Sequence, residues 1–191
     1  MENCSVHKLS VEREEAFFQF FDREAFTDNP EWAGCYCQFY LTDHNQVDWD
    51  TRTAAQNRET AQSRIASDGM YGYLAYLGDK VVGWCQAGPK LAFPVLVNDP
   101  ERRTEMDDRI GAIVCFIVTP GARGHGIASQ LLDAACQGLA ASGMDYAEGY
   151  PRLSAVSQAA NCHGPLGMFL SAGFNVLREL DGYKIVRKAL T

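Results

Sequence analysis

The chain has 191 residues, 47% of them hydrophobic and 21% charged, with 17 basic against 24 acidic side chains and a formal net charge of −7. That length suits one domain, spanning 1–191, able to bury a sizeable core, and the composition excludes disorder, collagen and coiled coil as the main architecture. An acidic balance speaks against sequence-independent nucleic-acid binding and favours small, neutral or cationic partners.

The start of the chain lacks a basic stretch followed by an apolar one, so no export signal is read there. The longest apolar run, Ala112 to Val118, is too short to span a bilayer, so no membrane partner is expected. Seven cysteines, an odd number, read as free thiols in a reducing cytoplasm.

In chain order, residues 5–9 read as a strand. Ser10 is placed to cap a helix over 11–26, with Phe17, Phe20, Phe21 and Ala25 at helical spacing and Asp28-Asn29-Pro30 as its stop. Residues 32–49 are rich in aromatics and cysteine without a period. Asp50 is placed to cap a polar helix over 51–67. Residues 71–77 and 80–86 form a strand pair around Gly78-Asp79, two residues that tolerate the positive φ of tight hairpin turns. Residues 90–109 read as an irregular loop with an acidic cluster, Glu105, Asp107 and Asp108. Residues 112–118 are apolar without alternation, the mark of a strand buried on both faces. A helix follows to Ser142, then a strand over 145–150, a short helix over 165–172, and a hairpin of 174–180 with 183–188 around Asp181-Gly182. This mixture predicts an α/β (α+β) layered fold.

The segment Phe116-Ile117-Val118-Thr119-Pro120-Gly121-Ala122-Arg123-Gly124-His125-Gly126-Ile127-Ala128-Ser129 joins a buried strand to an amphipathic helix through a glycine-rich turn. The first amides of a helix have no internal partner, and the helix dipole makes that end positive. Small residues at positions 124, 126 and 128 let an anion approach the backbone, so the turn is an anion cradle suited to a diphosphate. A P-loop would require Lys then Ser or Thr after the last glycine, where Ile127-Ala128 stand. A dinucleotide fingerprint fails at its third glycine, where Ser129 stands.

Val118-x-Pro120-x-x-Arg123-Gly124-x-Gly126-Ile127-Ala128 resembles the acetyl-CoA motif of the GNAT superfamily of N-acyltransferases. Val82-Gly83-Trp84 resembles that superfamily's central strands, and Met168-Phe169-Leu170-Ser171-Ala172-Gly173-Phe174 its second motif. The order of elements matches over nearly the whole chain. The resemblance implies a central mixed, mostly antiparallel sheet with helices on both faces. It implies transfer of an acetyl group from acetyl-CoA, as co-substrate and without metal, to a primary amine in a ternary complex. It assigns the CoA pyrophosphate to the amides of Gly124, His125, Gly126, Ile127, Ala128 and Ser129, with Arg123 assisting. It also implies that the strand at Phe116, Ile117 and Val118 splays from its neighbour near Glu148 and receives the pantetheine arm. The N–H of Phe116 or Ile117 would then polarise the thioester carbonyl. Phe169 falls within the cofactor-binding set by its place in the second motif. Homodimers are common in such families, and a homodimer is among the assemblies implied.

An alkyl amine is neutral only about once in 10³ molecules at pH 7, so acyl transfer benefits from a base. Relatives often carry Tyr where Phe169 stands and Glu where Ala112 stands. The remaining candidates are Glu148 as base and Tyr150 as proton donor, which share a strand face with Tyr146 if that strand is regular. Trp32, Tyr36, Phe39, Tyr40 and Trp49 line an acceptor pocket or form an aromatic subcore; both readings stand. The acceptor, small molecule or peptide, is not named by the sequence. Two rival functions are an acyl-CoA-binding regulatory or sensor module without catalysis, and a thiol-based metal or redox protein built on Cys35 and Cys37. The spacing of those cysteines is wrong for a paired zinc site.

Overall fold

The structure, a computed structural model, describes residues 4–104, 108–153 and 161–190. Seven strands form one sheet: β1 (Cys4–Lys8), β2 (Tyr73–Leu77), β3 (Lys80–Pro89), β4 (Ile110–Val118), β5 (Tyr146–Gly149), β6 (Asn175–Leu180) and β7 (Tyr183–Ala189). Their order is β1-β2-β3-β4-β5-β7-β6, and every neighbouring pair is antiparallel except β4 with β5. The helices are α1 (Glu14–Arg23), α2 (Ala54–Ala66), α3 (Pro94–Asn98), α4 (Ile127–Ala141) and α5 (Leu166–Ser171).

Two hydrophobic clusters cover the two sheet faces. On one, the α1 residues Phe17 and Phe21 pack edge-on against Trp84 of β3, joined by Leu74, Val114, Ile117 and Ile185. On the other, Ile127, Leu131, Leu132, Ala135 and Leu139 of α4 cover Val82, Cys85, Ile113 and Phe116. The helical stripe predicted from Phe17, Phe20 and Phe21, and the apolar face of the amphipathic helix after the glycine turn, are therefore the faces that are buried.

Several local expectations shift. The first helix begins later than expected: Val11–Arg13 is a 3-10 turn and Ser10 makes no capping bond, its hydroxyl accepting instead from Arg13 Nη1 at 3.2 Å. Asp50 does not cap α2. Thr53 does, in a reciprocal capping box with Gln56. The supposed irregular loop after β3 contains a 3-10 turn, Lys90–Ala92, and the short helix α3, whose proline sits at its first position.

The feature that shapes the site lies in β4. Cys115 opposes Gln86 and Ile113 opposes Ala87, so Val114 is one residue more than β3 can pair. Such a bulge bends its strand and increases local twist. On the other side, β5 follows β4 for only four pairs, ending at Ile113 with Gly149. From Val114 to Val118, β4 has no β5 strand beside it.

Candidate active site

The edge left open by β5 is partly taken by the linker before α5. The Phe116 N–H donates to the Cys162 carbonyl at 2.6 Å, and His163 Nδ1 lies 3.0 Å from the Val114 carbonyl oxygen. A carbonyl only accepts, so Nδ1 of the neutral ring carries the proton and Nε2 is left as an acceptor. The Tyr40 hydroxyl stands 3.3 Å from the same Nδ1. Burial pushes the Tyr40 phenol well above its ordinary pKa, so it remains protonated at neutral pH.

At the end of β4 the chain passes through Thr119, whose N–H donates to the Val82 carbonyl, into the glycine-rich turn. Gly124 and Gly126 both have φ of +78°, a conformation that other residues resist. A Cβ built at either would meet nothing within 4 Å, so the space above the turn is open. Gly126 is the N-cap of α4 and has no side chain with which to cap it. The amides of Ile127, Ala128 and Ser129 therefore face this opening without a side-chain acceptor, while the Ile127 side chain is buried against β3. His125 is exposed, with Nδ1 bonded to the Arg123 carbonyl at 2.8 Å. These residues and this geometry fit a diphosphate.

The Arg123 side chain is used differently from the expectation that it would assist the pyrophosphate. Its Nε donates to the Val118 carbonyl at 2.9 Å, and its two terminal nitrogens grip Asp28 at 2.5 and 3.1 Å. That hydrogen bond holds the Asp28 carboxyl below its ordinary pKa. Arg123 thus fastens the cradle to the chain leaving α1. Ile117 is corrected as an oxyanion donor as well. Amides alternate along a strand, and because Phe116 points to the linker while Thr119 points to β3, the Ile117 amide faces Trp84 within the sheet. Val118 shares the parity of Phe116.

Phe169 is also corrected. It is fully buried, packed edge-on against Phe116 and Phe174, and it fills the space beneath Gly149, where a Cβ would lie 2.3 Å from its ring. Its role is to hold α5 against the sheet, and it presents no surface to a cofactor.

The greatest departure concerns Glu148 and Tyr150. They share a face as anticipated, the Tyr150 hydroxyl donating to Glu148 Oε2 at 2.9 Å. Yet Glu148 is fully buried and its carboxylate is filled. Lys90 Nζ lies 2.9 Å from one oxygen, Arg187 Nη2 2.5 Å from the other, and the Thr104 hydroxyl donates at 2.9 Å. Lys90, itself fully buried, also contacts the Thr104 hydroxyl. Burial would raise the Glu148 pKa, but the hydrogen bonds from Arg187 and Lys90 overcome it and hold the carboxyl below its ordinary value. Burial and the adjacent carboxylate drive the Tyr150 phenol far upward. A carboxylate with every lone-pair direction taken and a lowered pKa is a poor base at neutral pH. This is a closed ionic cluster that ties β5, β7 and the segment after β3 together.

Beside the open edge of β4 lies a cavity of about 520 Å³. Phe26, Trp32, Phe39, Tyr40 and Trp49 form its aromatic wall, and Cys115, Ile117, Cys162 and His163 its floor toward β4. Tyr36 instead joins the core, its hydroxyl donating to Asp22 at 2.6 Å. The aromatic stretch thus divides between wall and core. Cys35 and Cys37 line the same cavity, with the Cys37 sulfur 3.8 Å from that of Cys115. Burial pushes both thiols up in pKa. No group of three or more metal-ligating side chains is gathered among the described residues. Of the acidic cluster, Glu105 and Asp107 lie outside the described residues, and Asp108 is exposed.

His163 and Lys90 are the residues that sequence reasoning missed. A histidine two residues before Pro165, in the connection that leads into α5, is the available signal for the first; nothing local marks the second as buried.

No curated protein matches the chain in sequence. Among solved structures the chain is similar to the PaiA N-acetyltransferase of Thermoplasma acidophilum in complex with coenzyme A, at 14% identity and a TM-score of 0.59, covering 98% of this chain and 99% of that one. It is also similar to aminoglycoside acetyltransferase AAC(6')-Ib in complex with coenzyme A, at 16% identity and a TM-score of 0.64, covering 98% and 95%. The ribosomal-protein-S18-alanine N-acetyltransferase of Escherichia coli aligns at 12% identity and a TM-score of 0.53, covering 99% and 95%. Identities this low carry the fold alone. The model of the acetyltransferase (GNAT) family matches residues 12–155, and the chain belongs to that family.

Proposed function

We propose that the chain transfers an acetyl group from acetyl-CoA to a primary amine by direct attack in a ternary complex. The observation that carries this reading is the uncapped start of α4, with two open glycines, placed at the end of a strand whose edge is free of its neighbour. In this reading the amides from Gly124 to Ser129 receive the pyrophosphate. The pantetheine arm lies along Phe116–Val118 as an added strand. The thioester carbonyl then takes the N–H of Phe116, displacing the Cys162 carbonyl, or that of Val118.

The base moves from Glu148 to His163. Nδ1 is anchored on the Val114 carbonyl, which fixes the ring and directs the basicity to Nε2 at the junction of strand edge and cavity. His163 Nε2 takes a proton from the bound ammonium before the neutral amine attacks, or from the nitrogen of the tetrahedral adduct, and the protonated Tyr40 phenol beside it supplies a hydrogen bond to the departing thiolate. The test is calorimetry with CoA followed by thiol release from acetyl-CoA across an amine library. Binding of CoA with amine-dependent thiol release is the expected result. Absence of CoA binding by folded protein would end the proposal, and binding without turnover of any amine would favour a regulatory module.

A further inference from the structure

Resting on the acetyl-transfer reading, we infer that the acceptor is a small amine that also carries a carboxylate, on an apolar body. The cavity beside β4 has five aromatic rings in its wall, so the body of its occupant is apolar. Among the described residues its charged lining is Arg52, Arg102 and Arg152 against a single carboxylate, the exposed Glu31.

Two of the three guanidiniums have no counter-ion among the described residues. Arg52 is held by neutral oxygens only. Its Nε donates to Oδ1 of the buried Asn57 at 2.9 Å, and its Nη2 to the Thr60 hydroxyl at 2.8 Å and the Gln56 carbonyl at 3.2 Å. Asn57 is in turn fixed by donating to the Gly34 carbonyl at 2.9 Å. The guanidinium is thereby oriented without being neutralised. Arg152 makes no ion pair among the described residues, and its backbone is pinned against Tyr183 at the β6–β7 turn, with the Leu153 N–H on the Gly182 carbonyl at 2.9 Å. Arg102 faces Asp99 at 3.2 Å and stacks over Tyr183. Arg102 and Arg152, with Tyr40, His163 and one carboxylate, Asp181, also line the adjoining cleft, so guanidiniums outnumber carboxylates there as well.

A guanidinium fork matches a carboxylate in shape and charge, and charge-assisted bonds of this kind are the strong ones. A polycationic acceptor would instead need several carboxylates around it. The arrangement fits an amine such as an apolar α-amino acid, its carboxylate on an arginine and its nitrogen toward His163.

The test compares phenylalanine with phenylalaninamide, and leucine with leucinamide, as acceptors for acetyl-CoA at one pH. The amide has the less basic amine and so the larger neutral fraction, which makes chemistry alone favour it. We expect the acids to lead by at least tenfold in kcat/KM, and Arg152→Met, at an exposed site, to reduce that lead at least fivefold. CoA binding with the amides turned over as well as the acids would overturn the inference and leave acetyl transfer standing. So would CoA binding with neither turnover nor a thermal shift from either acid. An Arg152→Met variant that weakens CoA binding at an unchanged acid-to-amide ratio would assign the arginine to the coenzyme and also overturn it. Absence of CoA binding in the unaltered protein would overturn the underlying reading and this one together.

Discussion

Glu148→Gln separates the two roles a buried glutamate can have. The substitution keeps the shape and removes the charge, leaving Lys90 fully buried with only the Thr104 hydroxyl and a neutral amide as partners. Arg187 retains some access to water and its stacking over Tyr146, so the loss concentrates on Lys90. Breaking one side of a buried ion pair costs about 3–5 kcal/mol. At this chain length each kcal/mol shifts Tm by about 2–4 °C, so a fall of roughly 6–20 °C is expected by calorimetry or circular dichroism. The pH dependence carries the same signature. The folded-state pKa of Glu148 lies below its ordinary 4.5, so its contribution is complete above that value and is lost as pH falls through the folded-state value. The wild type should lose stability more steeply below pH 4.5 than the variant. Lys90→Met combined with Glu148→Gln should be less destabilised than the two single effects added, with an interaction energy near the upper end of about 0.5–3 kcal/mol. An unchanged Tm in Glu148→Gln, together with a collapse of kcat and a shifted pH–rate profile, would refute the structural assignment and return Glu148 to the chemistry.

Gly124→Asp should weaken CoA binding at least tenfold by calorimetry while Gly124→Asn weakens it less; both side chains tolerate the left-handed backbone, and open space receives them, so Tm should move little. His163→Gln should lower kcat by about 10²-fold or more with CoA affinity retained, since a positioned base contributes about 10²–10⁴-fold; equal kcat would remove it from the mechanism. Phe169→Ala should cost about 3–5 kcal/mol in urea unfolding, because the ring is fully buried beneath Gly149. Cys85, whose thiol burial drives far upward, should react with iodoacetamide at pH 7.5 only as fast as the protein unfolds; rapid labelling of native protein would contradict its place in the core.

The elements that could be read in advance are those whose signals are local. The stripes of α1 and α4, the glycine turns at 78 and 182, and the strand–cradle–helix unit each depend on residues within a few positions of one another. Glu148 cannot be read from its own surroundings because its partners are distant: Arg187 is 39 residues away, and Lys90 opens a stretch with no regular period. A strand-end glutamate looks the same in sequence whether it faces solvent or a buried lysine. Phe169 was misread for a related reason. Its position in the second motif is visible, but the glycine that opens space for its ring lies far back in the chain, on β5.

The cleft itself follows from two interruptions that reinforce one another. The extra residue at Val114 bends β4, and the chain after β5 reaches Pro151, which lacks an N–H to extend the pairing. Four parallel pairs are therefore all that β5 makes, and beyond Ile113 β4 continues with β3 on one side and without β5 on the other. An unpaired strand edge is a template for any extended chain with alternating donors and acceptors. The linker at Cys162 and His163 satisfies that edge with one carbonyl and one ring nitrogen. An amide-bearing ligand arm can exchange with so few bonds at small cost, whereas a full β5 would have closed the edge permanently. The same linker carries His163 to this edge, so the segment that guards the strand also holds the imidazole proposed as the base beside it.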